Sequence, residues 1–167
     1  FSPKYILLGH DFNYGQGGEG GFELAKKLGG EQGILVEQAP AFHLDNEVVS
    51  STRIRELLKA GDIERANRML GRAFHVSGPV LKGKALGRTI GFPTANISAQ
   101  ALVPGGGVYA GWAELKNQKY EAVLNIGYRP TTKQERSLSV ECHILDFNED
   151  IYGEELKFYF FNKIFRF

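Results

Sequence analysis

The spacing of hydrophobic residues changes character twice along the chain. Tyr5-Ile6-Leu7-Leu8 is a short apolar run bounded by turn formers, the pattern of a buried strand in a parallel sheet. Phe22, Leu24, Ala25 and Leu28 then fall on one side of a short helix, with Gly29-Gly30 as its expected end. Ile34-Leu35-Val36 reads as a second strand, so the opening stretch is a βαβ unit. Two strands are too few for a stable sheet. The remaining strands are expected upstream of Phe1, and both ends of the chain are expected to be cuts in a longer protein.

Helical spacing returns at Ser50-Ser51-Thr52, which opens a helix with Ile54, Leu57 and Leu58 on its apolar side and Gly61 at its close. Asp62 caps a second helix, whose apolar stripe is Ile63, Ala66, Met69 and Leu70, ended by Gly71. After Phe74 the period changes to two. Candidate strands are His75-Val80, Gly107-Leu115, Tyr120-Ile126, Leu138-Leu145 and Leu156-Phe165, with a hairpin at Asn117-Gln118 and a turn at Asn148-Glu149-Asp150. The expected fold class is α/β plus all-β: a truncated βαβ segment with a helix pair over 1–71, then a small barrel or sandwich over 72–167.

Composition narrows the functions open to such a chain. Its 167 residues are 43% hydrophobic and 23% charged, as in an ordinary globular protein. A formal net charge of +1 without a long basic run argues against nucleic acid as a partner. No apolar run approaches the ~20 residues that cross a bilayer, and no basic-then-apolar leader opens the chain, so no membrane partner is expected. A lone cysteine, Cys142, cannot form an internal disulfide and suits a reducing, cytoplasmic setting. Oligomeric state is not legible.

The residues richest in chemistry are Gly87-Arg88-Thr89-Ile90-Gly91-Phe92-Pro93-Thr94-Ala95-Asn96. Pro93 fixes its own φ and pushes Phe92 toward extended geometry. Thr94 and Asn96 follow two apart; on a strand both would face one side and offer two neutral oxygens to Mg²⁺ and a phosphate. An ordinary turn with two solvated polar residues is the alternative. Glu141 and His143 share one side of their strand, opposite Leu138, Val140, Cys142 and Ile144. Free N–H groups at the start of the helix after Ser50, with Arg53 and Arg55 nearby, suit a phosphate, although a plain helix cap has the same look.

Two other motifs compete. Gly78 to Ala85 is one residue short of a P-loop, has Ala85 where a metal-binding hydroxyl belongs, and loses an N–H at Pro79, so it is rejected. Gly15-Gln16-Gly17-Gly18-Glu19-Gly20 fits G-x-G-x-x-G, with Glu37 about 20 residues on, and defines the main competing class, an NAD-type dinucleotide-binding enzyme. Its loop starts several residues beyond the strand, and no third βα unit follows.

The Gly-Arg-Thr-x-Gly-Phe-Pro-Thr-Ala-Asn stretch resembles the signature of the riboflavin kinases. The resemblance continues in order through Gly107-Val108-Tyr109-Ala110, Asn125-Ile126-Gly127, Arg129-Pro130-Thr131, Val140-Glu141-Cys142-His143, Leu145-Asp146-Phe147 and Ile151-Tyr152-Gly153. Upstream, Gly9-His10-Asp11-Phe12-Asn13-Tyr14-Gly15 and Val49-Ser50-Ser51-Thr52-Arg53-Ile54-Arg55 resemble the latter part of the FMN adenylyltransferase module found in two-activity bacterial riboflavin kinase/FAD synthetases.

That likeness implies a nucleotidyltransferase-like first segment and a mostly antiparallel β-barrel, and it assigns roles. Glu141 would be the catalytic base that phosphorylates riboflavin to FMN with ATP. Thr94 and Asn96 would hold Mg²⁺ and phosphates, beside Pro93, with Gly87, Arg88 and Gly91 as a flap over the nucleotide. Lys82 and Lys84 are weaker candidates for the polyphosphate, and His143 is expected to be a structural hydrogen-bonder. Gly9, Asp11 and Phe12 would line the flavin and nucleotide cleft of the adenylyltransferase, with Ser51, Thr52 and Arg55 on ATP phosphates as FMN becomes FAD. The histidine-bearing motif of that module is absent from this sequence, so adenylyl transfer is not expected of the chain as given. The family's carboxy-terminal helix is also absent, which is expected to weaken riboflavin binding. A non-catalytic flavin- or nucleotide-binding module is the remaining alternative.

Overall fold

The computed structural model describes residues 2–82, 93–99, 102–130 and 136–165. They divide into two compact units, Phe1–Val49 and Ser50–Phe167.

In the first unit, β1 (Tyr5–Leu8) and β2 (Leu35–Gln38) pair in parallel, Tyr5 opposite Leu35 and Leu8 opposite Gln38, joined through α1 (Phe22–Glu31). The βαβ reading holds, with two corrections: β1, read as a buried strand, has Tyr5 and Leu7 exposed and only Leu8 buried, and α1 does not stop at Gly29-Gly30 but runs through both. Gly29 is buried where a side chain would overlap Val36 on β2, so the glycine is there for close helix-strand approach. The helix ends at Glu31, where the Gln32 N–H reaches the Gly29 carbonyl at 3.0 Å, the Gly33 N–H reaches the Gly30 carbonyl at 3.2 Å, and Gly33 turns the chain at φ 70°. A small hairpin, β3 (His43–Leu44) with β4 (Glu47–Val48), turns through Asp45-Asn46 and was not expected. Two-residue strands carry no detectable alternation.

In the second unit, α2 (Ser51–Ala60) is capped by Ser50, whose hydroxyl accepts from Arg53 N at 3.2 Å, and α3 (Ile63–Leu70) by Asp62, which accepts from Arg65 N at 3.3 Å. Gly61 and Gly71, at φ 77° and 66°, close them as the sequence indicates. Six strands follow: β5 (His75–Leu81), β6 (Ala95–Ile97), β7 (Gly107–Leu115), β8 (Gln118–Pro130), β9 (Arg136–Ile144) and β10 (Glu155–Phe165). All neighbours are antiparallel, and the order β10-β5-β6-β9-β8-β7 closes on itself because β10 pairs with both β5 and β7. Among the described residues, closure gives every barrel strand a neighbour on both sides. The β7–β8 turn has Lys116-Asn117 at its centre, both at positive φ, one residue earlier than expected.

Alternation builds the core. Inward residues Tyr109, Ala113 and Leu115 of β7, Leu124 and Ile126 of β8, Val140, Cys142 and Ile144 of β9, and Leu156, Phe158 and Phe160 of β10 are buried. The helix pair belongs to the barrel in packing terms, although the sequence put it with 1–71. Asn67 of α3 bridges to the barrel: its amide donates to Phe160 O at 2.8 Å and its Oδ1 accepts from Phe74 N at 2.7 Å. Gly105 N donates to Leu58 O of α2 at 3.0 Å. Leu58, Ile63 and Ala66 are fully buried as a result, so the packing division falls at Val49/Ser50 rather than at Gly71-Arg72.

Candidate functional site

Register decides which predicted residues meet. Asn96 of β6 lies directly opposite Glu141 of β9, and Asn125 of β8 lies opposite Glu141 on its other side. Directly opposed residues on one face have Cβ atoms about 4.5–5.5 Å apart. The burial alternation of β6, β8 and β9 sends their even-spaced apolar partners inward and leaves Asn96, Asn125, Glu141 and His143 on the outer side. The expected pairing of Glu141 with His143 on one side, opposite Val140, Cys142 and Ile144, is therefore observed, whereas Leu138, expected on the apolar side with them, is exposed near the start of β9.

Two hydrogen bonds stiffen this patch. Ser139, the buried polar residue two positions before Glu141, donates to Glu141 Oε1 at 2.8 Å. A hydrogen bond to a carboxylate supports its ionised form and fixes its rotamer. His143 Nδ1 lies 2.9 Å from Pro93 O. A carbonyl only accepts, so the contact needs the proton on Nδ1, and the imidazole fastens the Pro93-Thr94 turn to β9. Thr94 sits one residue ahead of β6 rather than within it.

Thr94 also faces a second feature. A cavity of about 240 Å³ opens beside Pro93-Thr94-Ala95. Val80, Ala95, Cys142 and Ile144 form an apolar floor, and the loop between β9 and β10 supplies Phe147, Ile151 and Tyr152 as a wall, with Asn148, Glu149 and Asp150 at the rim. The loop is clipped to β5: Gly153 N donates to Val80 O at 2.9 Å and Val80 N to Glu154 O at 2.9 Å. Lys82 Nζ stands 5.7 Å from the Tyr152 ring centre. The cavity wall was missed at the sequence level, although Phe147, Ile151 and Tyr152 stand in motifs quoted above, as does Asn125.

Cys142 lies in this floor, fully buried, and burial pushes its thiol well above the ordinary range. The folded protein is expected to resist iodoacetamide at pH 8, with stoichiometric labelling appearing only in denaturant. Rapid labelling of the native chain would mean the floor opens.

Other site residues fall elsewhere. Gly87, Arg88, Gly91 and Lys84 lie outside the described residues. Gly9, Asp11 and Phe12 form a turn in the first unit, with Phe12 N donating to Gly9 O at 3.2 Å and the Phe12 ring 5.7 Å from Tyr14. Ser51, Thr52 and Arg55 are exposed at the start of α2 in the second unit. The G-x-G-x-x-G segment folds back on itself: Tyr14 and Gly20 exchange backbone hydrogen bonds of 2.7 and 2.9 Å, and a side chain at Gly20 would strike the Tyr14 ring. Such a closed loop, well past the end of β1, is not a dinucleotide turn running straight into a helix.

Among the described residues no three His, Cys, Asp or Glu side chains converge. The donors near Glu141 are hydroxyl, amide and carboxylate oxygens, a set that suits a hard cation shared with substrate phosphates rather than a metal held by protein alone. No helix among the described residues is long and apolar enough to cross a membrane.

The site is thus a closed six-stranded antiparallel barrel that carries an acidic residue between two amides on neighbouring strands. The riboflavin kinase family model matches residues 70–166, and the FAD synthetase model residues 1–53. The chain belongs to the riboflavin kinase family. It is similar to bifunctional riboflavin kinase/FMN adenylyltransferases: 38% identical over 162 residues to that of Pseudomonas fluorescens (96% of this chain, 52% of the relative), and 40% over 165 residues to that of Listeria monocytogenes (95% and 51%). The chain thus spans about half the length of the curated relatives it matches. A crystal structure described as a macrolide-efflux protein from Streptococcus pneumoniae matches 98% of this chain and 53% of its own, at a TM-score of 0.85 and 33% identity. That description belongs to the other protein; the shared fold is what carries over.

Proposed function

We propose that the barrel transfers the γ-phosphoryl group of ATP to the terminal hydroxyl of riboflavin's ribityl chain, giving FMN and ADP. The single observation that carries this reading is the direct opposition of Asn96 and Glu141 across β6 and β9. It sets an amide beside a carboxylate, and this reading gives the amide to phosphate and cation and the carboxylate to the proton. Glu141, held through Oε1 by Ser139, accepts the ribityl hydroxyl proton as that oxygen bonds to the γ-phosphorus and the bond to the β-phosphate oxygen breaks. Thr94 and Asn96 hold phosphates together with Mg²⁺, which supplies charge neutralisation when bound.

Thr94 stands at the mouth of the cavity, so a nucleotide whose base enters between the apolar floor and Tyr152 carries its phosphates past Thr94 toward Asn96. Gly87, Arg88 and Gly91 are proposed to cover it, next to Pro93. For the intact protein, adenylylation of FMN to FAD is proposed for the module that residues 1–53 match; Gly9, Asp11 and Phe12 in the first unit, and separately Ser51, Thr52 and Arg55 at the start of α2, stay candidates for it. A cytoplasmic location fits this chemistry and the single buried thiol.

The test is direct: the chain with ATP, MgCl₂ and riboflavin is expected to yield FMN and ADP in equal amounts by chromatography. A chain that binds ATP and riboflavin yet forms no FMN is a binding module, and one stabilised thermally by NAD but not by ATP-Mg²⁺ belongs to the dinucleotide class.

A further inference from the structure

The row of outward side chains across β6, β9 and β8 runs Asn96, Glu141, Asn125. Asn96 and Glu141 have roles above, but Asn125 has none. Its side-chain Oδ1 is buried and has no hydrogen-bond partner among the described residues. A buried amide oxygen left unpaired carries a desolvation cost, and such atoms in folded proteins mark a missing donor. Only one other buried side-chain atom among the described residues shares this state, His75 Nδ1, which is on a different strand from the row. Asn125 is cross-strand neighbour to Glu141 on one side and to Val108 on the other. The apolar neighbour supplies no donor, and a carboxylate supplies none either.

We infer that Asn125 is a substrate-binding residue: its Oδ1 accepts a hydrogen bond from a hydroxyl of the polyol chain next to the one Glu141 deprotonates. The inference rests on the phosphotransfer reading and deepens it by giving the site a direction. Strands stand roughly 4.8 Å apart, so the base lies between an amide on the phosphate side and an amide on the acceptor side. The phosphoryl donor approaches Glu141 from β6 and the hydroxyl-bearing substrate from β8. A polyhydroxylated substituent is required of the acceptor; an isoalloxazine bearing only a methyl group leaves Oδ1 unsatisfied.

The test compares riboflavin with lumiflavin, the same ring system with methyl in place of the ribityl chain. Fluorescence titration of parent and Asn125→Ala with each ligand gives the ratio of the two dissociation constants, which does not depend on the fraction of protein folded. The parent is expected to favour riboflavin. Asn125→Ala is expected to lose about tenfold of that preference, the size of one hydrogen bond to a buried acceptor. Its KM for riboflavin should rise in parallel while KM for ATP changes less than about twofold. If Asn125→Ala does not fold, Asn125→Ser, which is polar but too short to reach, carries the same comparison. A parent that makes FMN while the variant keeps the parent's ratio overturns the inference alone. Equal rises in both KM values do so too, since they indicate a structural role. A parent that makes no FMN overturns the phosphotransfer reading, and this inference with it.

Discussion

Glu141→Gln is expected to reduce kcat for FMN formation by two to four orders of magnitude, the range general-base removal spans in other enzymes, on the order of 10²–10⁴. Riboflavin and ATP dissociation constants should stay within about threefold of the parent's. The amide is nearly the same size and still accepts from Ser139 Oγ, which now lies 2.8 Å from Glu141 Oε1, so the local geometry survives. What is lost is the group that takes a proton. Stopped-flow or quench measurements at saturating substrate read the loss in kcat, and ligand titrations read the dissociation constants. A variant that keeps more than about a third of the parent's kcat would remove Glu141 from the chemistry and leave the strand pair a binding surface.

How much of this was readable beforehand depends on the length over which each residue acts. Period-two alternation located the long strands, and β7 was placed to the residue at Gly107–Leu115. The caps at Ser50 and Asp62 were legible because capping is a contact three residues long. Gly29 misled because its purpose is tertiary: it admits Val36 from β2, and nothing within the helix reveals that. The packing of α2 and α3 on the barrel was invisible for the same reason, since Asn67 reads as an ordinary helix-surface polar residue until Phe160 O and Phe74 N come to it from 93 and 7 residues away. In the site, the chemistry of Glu141 and Asn96 was legible as types, but their opposition is a matter of register across 45 residues of chain. Asn125 stood in a quoted motif without a role, because only cross-strand pairing brings it to Glu141.

Phe158→Ala is expected to cost about 3–5 kcal/mol of stability, as for other fully buried phenylalanines, and the loss should register in the helices as well as the barrel. Phe158 is 0% exposed on β10, its ring 4.9 Å edge-on from Phe160, and Phe160 in turn stacks edge-on with Tyr109 at 5.2 Å and lies 5.8 Å from Phe74. The void left by the ring removes one wall of that cluster, which a closed barrel cannot collapse to fill because hydrogen bonds on both flanks hold β10 to β5 and β7. Asn67 carries the effect outward, since its amide is tied to Phe160 O and its carbonyl oxygen to Phe74 N. Native-state hydrogen exchange separates the alternatives. If Ser50–Phe167 is one cooperative unit, the most protected amides of α2, α3 and β7 lose the same free energy in the variant. If helix amides keep the parent's protection while those of β7 lose theirs, the helix pair folds on its own, and the division expected at Gly71-Arg72 is the one that governs stability.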